Sequence, residues 1–220
     1  MAPKFKFTRQ QIIEAAFKCV RRNGWEELTT RSLANELGSS ARPIYSFFRS
    51  MAELEEEIVK KSVQLLFDYM TRLNTGDPWH DHGIGYVFFA VEEKHLFRNI
   101  TDEKHIALYK KYGDVIWATL TDQLSDYPLF MELTADQVYL IQLQRWLFAH
   151  GLAFAAGNPP PDTWTSEKIV SIMQSGSMAI YTGLMVQFEK TVKNQANKGV
   201  SNGRNRSEKN GVSDCRHENE

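Results

Sequence analysis

The sequence predicts an all-α protein: an N-terminal three-helix unit with a helix-turn-helix, joined to a larger C-terminal helical body. Three observations carry this. Apolar residues recur at three- and four-residue spacing in segment after segment, opened by capping residues and closed by Gly or Pro-rich breaks. Nothing reads as a convincing strand. Charge is also divided, because residues 1–50 hold nine Lys/Arg against four Asp/Glu, whereas residues 51–192 hold eleven against nineteen. The formal net charge of -1 hides this contrast.

Thr8-Arg9-Gln10-Gln11 is a capping box, and Ile12, Ile13, Ala16, Phe17 and Val20 follow at helical spacing until Gly24. Trp25 and Leu28 plug the core from the connector, and Thr29 caps a second short helix (Leu33, Ala34, Leu37) closed by Gly38. The stretch GSSARPIYSFF (38–48) holds the third. A proline in a helix interior costs about 3 kcal/mol but is tolerated in the first turn, so this helix must begin just before Pro43, with Ser40 as its expected N-cap. A second capping box, Ser50 to Glu53, opens a long helix with the stripe Leu54, Ile58, Leu65, Leu66, Tyr69, Leu73.

Past TGDPWHDHG (75–83), expected as a loop, the patterns predict helices at about 84–98, 102–124 and 135–156, then at 166–192 after NPPPDTWT. Residues 194–220 are polar with almost nothing to bury and are expected to be a disordered tail. The expected domains are therefore 1–50, 51–193 and 194–220. No apolar run approaches the roughly 18 residues of a membrane span, and MAPKFKFTRQQ lacks a signal-peptide stretch, so the reading is cytoplasmic with no membrane partner. Cys19 and Cys215 suggest neither a disulfide framework nor a zinc site.

The basic excess and the helix-turn-helix together point to DNA, the second helix of the pair entering the major groove. Arg42, in its first turn, can reach guanine O6 and N7. Ser40, Thr29 and Thr30 offer hydroxyls and helix N-termini to phosphates, and Tyr45 can donate its hydroxyl to a phosphate. The competing reading makes Arg42 a solvated surface residue and Tyr45 a core aromatic.

Residues 8–59 resemble the N-terminal domain of the tetracycline repressor (TetR) family of transcriptional regulators. The likeness rests on Ile12-Ile13-Glu14-Ala15-Ala16 to Asn23-Gly24, Leu28-Thr29-Thr30-Arg31-Ser32-Leu33-Ala34, Gly38-Ser39-Ser40, Ile44-Tyr45-x-Phe47-Phe48 and Ser50-x-x-Glu53-Leu54. Looser echoes lie at Phe88-Phe89-Ala90, Leu96-Phe97-Arg98 and Trp146 to Ala153. The resemblance implies an all-helical homodimer on double-stranded, palindromic operator DNA, with a C-terminal half that binds a small-molecule effector and forms the dimer. This chain departs from the family at Ser39, often valine, at Phe47, often histidine or tyrosine, and at Met51, often a phosphate-binding lysine that Arg49 would replace. The expected DNA-facing set is Thr29, Thr30, Ser40, Arg42, Tyr45, Phe47 and Arg49.

In the body, His80-Asp81-His82 is either a partial metal site or an exposed polar loop, and no metal or cofactor is expected. The helix over 135–156 is apolar nearly all round yet carries Gln142, Gln144 and Arg145. A buried charge needs a partner, so Arg145 meets either an acidic neighbour such as Glu92 or Glu93, or a ligand. Phe89, Trp117, Arg145 and Trp146 are the candidate effector residues. His150 is placed near the subunit contact by the resemblance, and Gly176, Ala179 and Gly183 by the small residues of the last helix. There is no nucleophile elbow, phosphate-cradling glycine loop or H-E-x-x-H, so no enzyme is expected. The reading is a transcriptional regulator, a repressor released by an effector. Its rivals are a DNA-binding dimer without an effector, and a helical enzyme or carrier.

Overall fold

The computed structural model describes residues 7–158 and 163–209. Its elements, among the described residues, are helices only: α1 (Arg9–Asn23), α2 (Thr30–Glu36), α3 (Arg42–Phe47), α4 (Met51–Thr71), α5 (Pro78–Glu92), α6 (Lys94–Phe97), a 3-10 turn (Arg98–Thr101), α7 (Ile106–Asp122), α8 (Ala135–Gly157) and α9 (Ser166–Lys209). The chain forms two compact units, Met1–Ser177 and Met178–Glu220.

The expected caps of the first two helices form. The Thr8 hydroxyl accepts from the Gln11 N–H at 3.2 Å while the Gln11 side chain accepts from the Thr8 N–H at 2.8 Å, and Thr29 and Ser32 make the same reciprocal pair at α2. Gly24 ends α1 with φ 90°, a left-handed conformation that a side chain disfavours. At α4 only half of the second box forms. Ser50 caps Glu53, but the Glu53 carboxylate accepts from the Arg49 N–H at 2.8 Å instead of turning back to Ser50.

The start of α3 is one residue later than expected. Its N-cap is Ala41, already in helical conformation, with no side-chain cap. The reason is Pro43: with Ser40 as cap, the third helical residue would be a proline, which has no N–H to donate. Ile12, Ala16, Val20, Leu33, Ile44 and Phe48 close the core of the three-helix unit, each such burial contributing about 1.5–3 kcal/mol for the larger side chains.

Residues 78–83 are not a loop. Asp77 caps α5 by accepting from the His80 N–H at 3.1 Å, Pro78 takes the first helical position, and Trp79, Asp81 and His82 are buried. Helix α5 then crosses α4 so closely that a Cβ on Gly85 would fall on the Tyr69 carbonyl. Helix α8 packs on the other side of α5, and α7 flanks α4.

Two further expectations change. Helix α9 continues to Lys209 where a disordered tail is expected from residue 194; residues 210–220 lie outside the described residues, Cys215 among them. The stretch Ser166–Thr191 is also long and apolar enough, by length and composition alone, to cross a membrane, although no such run is expected. An unbroken apolar run is not seen there because Ser, Gly and Thr dilute the apolar residues without adding charge.

Candidate functional site

Helices α2 and α3 present one polar face. Arg31, Ser40, Arg42 and Arg49 are exposed, and Tyr45, 53% exposed, extends its hydroxyl to the Thr30 hydroxyl at 2.9 Å. That bond ties the first turn of α2 to the middle of α3. The Tyr45 ring is therefore on the surface, against the reading of a core aromatic. Thr29 is exposed, but its hydroxyl accepts from the Ser32 N–H and also bonds the Ser32 hydroxyl, so it serves first as a cap. Phe47 is half-buried. None of the Arg31, Arg42 and Arg49 guanidinium groups forms an ion pair among the described residues. Arg31 was not among the expected contacts, although its place in the first turn of α2, between Thr30 and Ser32, is the signal for it.

Three successive glutamates near the start of α4 are held in ion pairs. Glu55 pairs with Lys104 at 2.7 Å, Glu56 with Lys111 at 2.8 Å, and Glu57 with Arg9 at 3.0 Å. Arg21 of α1 reaches Glu93, which also accepts from the Tyr69 hydroxyl at 3.1 Å. The three-helix unit is thus clamped to the body through charged groups as well as core.

A second site lies inside the body. Helices α4, α5, α7 and α8 line a partly open cavity of about 540 Å³, within the size range of small-molecule sites. Leu66 and Met70 of α4, Tyr86 of α5, Trp117 of α7 and Trp146 of α8 supply apolar wall. His150 lines it too, its Nδ1 2.8 Å from the Tyr86 hydroxyl and its ring 5.5 Å from Trp146. Burial lowers the His150 pKa from its ordinary value and pushes His82 down to about 4, where the Arg145 charge adds to the effect of burial. Both imidazoles are consequently neutral at pH 7.

Three of the four expected effector residues, Trp117, Arg145 and Trp146, line this cavity. Phe89 does not: it is fully buried against Tyr69, ring centroids 5.5 Å apart, on the α4-facing side of α5. Arg145 is not paired with Glu92 or Glu93, since Glu93 is taken by Arg21 and Tyr69, and Glu92 by Arg72 and Tyr69. It donates instead to the Trp79 carbonyl. Burial lowers its pKa to about 10, opposed by the Asp77 charge, which leaves it protonated.

The expected dimer residues divide. His150 lines the cavity, and a Cβ on Gly176 would strike the Phe148 ring of the same chain. Ala179 and Gly183 are exposed, and a Cβ on Gly183 would meet nothing within 4 Å. The His80-Asp81-His82 run is helical, with His80 bonded to Asp77, and Asp81 accepting from the Thr75 N–H at 2.9 Å and its hydroxyl at 2.7 Å. No cluster of three metal-ligating side chains occurs among the described residues.

Residues 12–58 match the family model of bacterial regulatory proteins, tetR family. The chain is 30% identical over 69 residues to the uncharacterized HTH-type transcriptional regulator Rv0681 of Mycobacterium tuberculosis (strain ATCC 25618 / H37Rv), a match spanning 31% of this chain and 30% of that relative. The fold is similar to that of a candidate transcriptional regulator from Pseudomonas aeruginosa PAO1, with TM-score 0.60 at 17% identity over 83% of this chain and 96% of that one.

Proposed function

We propose that the chain, whose residues 12–58 match the tetR family of bacterial regulatory proteins, is a homodimeric repressor released from a palindromic operator by a small molecule. In this reading it is a regulator and not an enzyme. In this reading Arg42 and Arg31 face the major groove and its edges, Tyr45, Thr30, Ser40 and Arg49 hold phosphates, and Phe47 supports α3 from behind. The three exposed guanidinium groups without ion-pair partners among the described residues support this assignment.

The observation that carries the regulatory half is the position of the cavity. Its wall includes the middle of α4, the helix that begins at Met51 directly after α3. A molecule that prefers one placement of α4 shifts the population of DNA-competent dimers, provided its affinities for the two states differ. The partner copy would cover exposed apolar side chains, Leu147 and Phe154 of α8 and, in the second unit, Met178 and Val186. This cover accounts for the apolar composition of Ser166–Thr191 without a membrane and fits a cytoplasmic protein.

The test is to sequence the DNA fragments that the purified protein retains, then to follow their release. An inverted repeat, dissociated by compounds that calorimetry shows to bind the protein, is the expected result. A saturating bound compound that leaves operator affinity unchanged is no inducer, and unchanged affinity across a broad panel favours a regulator without an effector.

A further inference from the structure

Arg145 lines the cavity without an ion-pair partner among the described residues, the Asp77 charge acting on it only at a distance. Arg145 is 8% exposed, its guanidinium lies 5.1 Å from the Trp79 ring centroid, and its Nε has no hydrogen-bond partner among the described residues. One turn earlier on α8, Gln142 is 7% exposed; its Oε1 accepts from the Thr121 hydroxyl at 3.3 Å, but its Nε2 is likewise unsatisfied. Both residues line the cavity. The carboxylates at the start of α5 are already engaged: Asp77 by the Tyr127 hydroxyl at 3.0 Å and the His80 N–H, and Asp81 by Thr75. His82, neutral and adjacent, brings no negative charge. Lys110 and Asp114 of α7, both exposed, also line the cavity.

A buried guanidinium whose Nε has no acceptor and an unsatisfied amide are each costly, and one bound group can relieve both. That group must accept hydrogen bonds, carry negative charge, and be attached to a body that the aromatic wall will bury. We propose that the cavity takes an amphipathic monocarboxylate, its carboxylate received by Arg145 and Gln142 and its apolar body by Tyr86, Trp117 and Trp146. A carboxylate matches the planar fork of Arg better than any neutral acceptor, and its hydrogen bonds to a charged donor are roughly twice as strong as neutral ones. The proposal rests on the effector reading above and narrows it to a chemical class.

The experiment uses the full chain without DNA at pH 7.5, with 4-phenylbutyrate and octanoate as probes and their primary amides as neutral counterparts. Calorimetry and quenching of tryptophan emission read binding. Each acid is expected to bind at least tenfold more tightly than its amide. Arg145→Met should remove that preference, Gln142→Leu should reduce it several-fold, and Trp117→Ala should weaken acid and amide alike. Equal binding of acid and amide, no binding of either acid, or an acid preference that survives Arg145→Met would overturn the proposal. Should Arg145→Met not fold, the wild-type comparison and Gln142→Leu decide alone. Operator release is measured separately: acid-selective binding that leaves DNA bound upholds the carboxylate site and defeats the inducer reading, whereas equal binding that releases DNA does the reverse.

Discussion

The Arg21 guanidinium of α1 grips the Glu93 carboxylate through two N–H donors, Nε at 2.6 Å and Nη2, across 72 residues of sequence. The two ends differ in environment, Glu93 at 2% exposure and Arg21 at 52%. Hydrogen bonding to Glu93 raises the Arg21 pKa above its ordinary value. Breaking a fully buried pair costs about 3–5 kcal/mol, but solvent screening at Arg21 and the remaining Tyr69 bond reduce this. Arg21→Ala, which strands the buried carboxylate, should destabilise by about 2 kcal/mol, and Glu93→Gln, which leaves an arginine that water can solvate, by about 1 kcal/mol. Urea unfolding of the two variants checks the order; the reverse order would mean that Glu93 is hydrated in solution.

Burial and the Arg145 charge hold the His82 pKa at about 4, below the ordinary value of 6.5, with the Asp81 charge and a bond to Gln123 opposing them. Between these values the unfolded chain binds a proton that the folded chain refuses, so stability falls as pH drops from about 6.5 to about 4. The loss attributable to His82 is about 3 kcal/mol over the full window. Half-buried His150 shifts in the same direction and adds to it. His82→Gln should flatten the dependence of the urea midpoint on pH across this window, and a slope unchanged by the substitution would refute the assignment.

On the proposed function, Arg42 and Tyr45 affect DNA differently. Arg42→Ala should relax discrimination at one symmetric position per half-site, at about 1–3 kcal/mol if it contacts guanine. Tyr45→Phe should weaken binding to every sequence by a similar factor, and Thr30→Val should mimic it, because their shared 2.9 Å bond braces α3 on α2. Titrations against single-base operator variants separate the two patterns. If neither Arg42→Ala nor Tyr45→Phe alters binding, α3 is not the reading helix.

The open surface at Gly183 supplies a test of assembly. A Cβ at Gly183 meets nothing within 4 Å in its own chain, so with Gly183→Leu monomer stability should hold or rise slightly, since leucine is the better helix former. A dimer that relies on close approach at this helix should weaken at least tenfold in sedimentation, and an unaffected dimer would place the interface elsewhere.

Most of the three-helix unit was legible because its signals are local. Thr8 with Gln11, Gly24 and Pro43 each mark a boundary through backbone chemistry that no distant residue alters. The body was less so. Pro78 reads as a breaker in TGDPWHDHG, yet Asp77 makes it a helix start, and the buried Trp79, Asp81 and His82 owe their place to α8 and the segment around Tyr127. Phe89 and Trp146 are alike as aromatic residues in apolar helices. Only the packing of α5 between α4 and α8 decides that one fills core and the other faces a cavity. The pairing of Glu93 with Arg21 rather than Arg145 is equally a long-range fact.

Helix α4 is a rod of 21 residues, about 31 Å long at 1.5 Å per residue. It is fastened at its first turns by Glu55, Glu56 and Glu57, and it borders the cavity farther along, at Val63, Leu66 and Met70. Such a rod is a lever. A tilt of roughly 5° about one end sweeps the other through nearly 3 Å over that length, and in the proposed dimer twofold symmetry doubles the change between two copies. On that reading modest swelling of the body is enough to spoil a spacing that DNA sets at about 34–36 Å. The fastenings are ion pairs whose Lys104, Lys111 and Arg9 ends are open to solvent and to screening by salt, so the stiffness of the lever, and with it the sharpness of the proposed response, should soften as ionic strength rises.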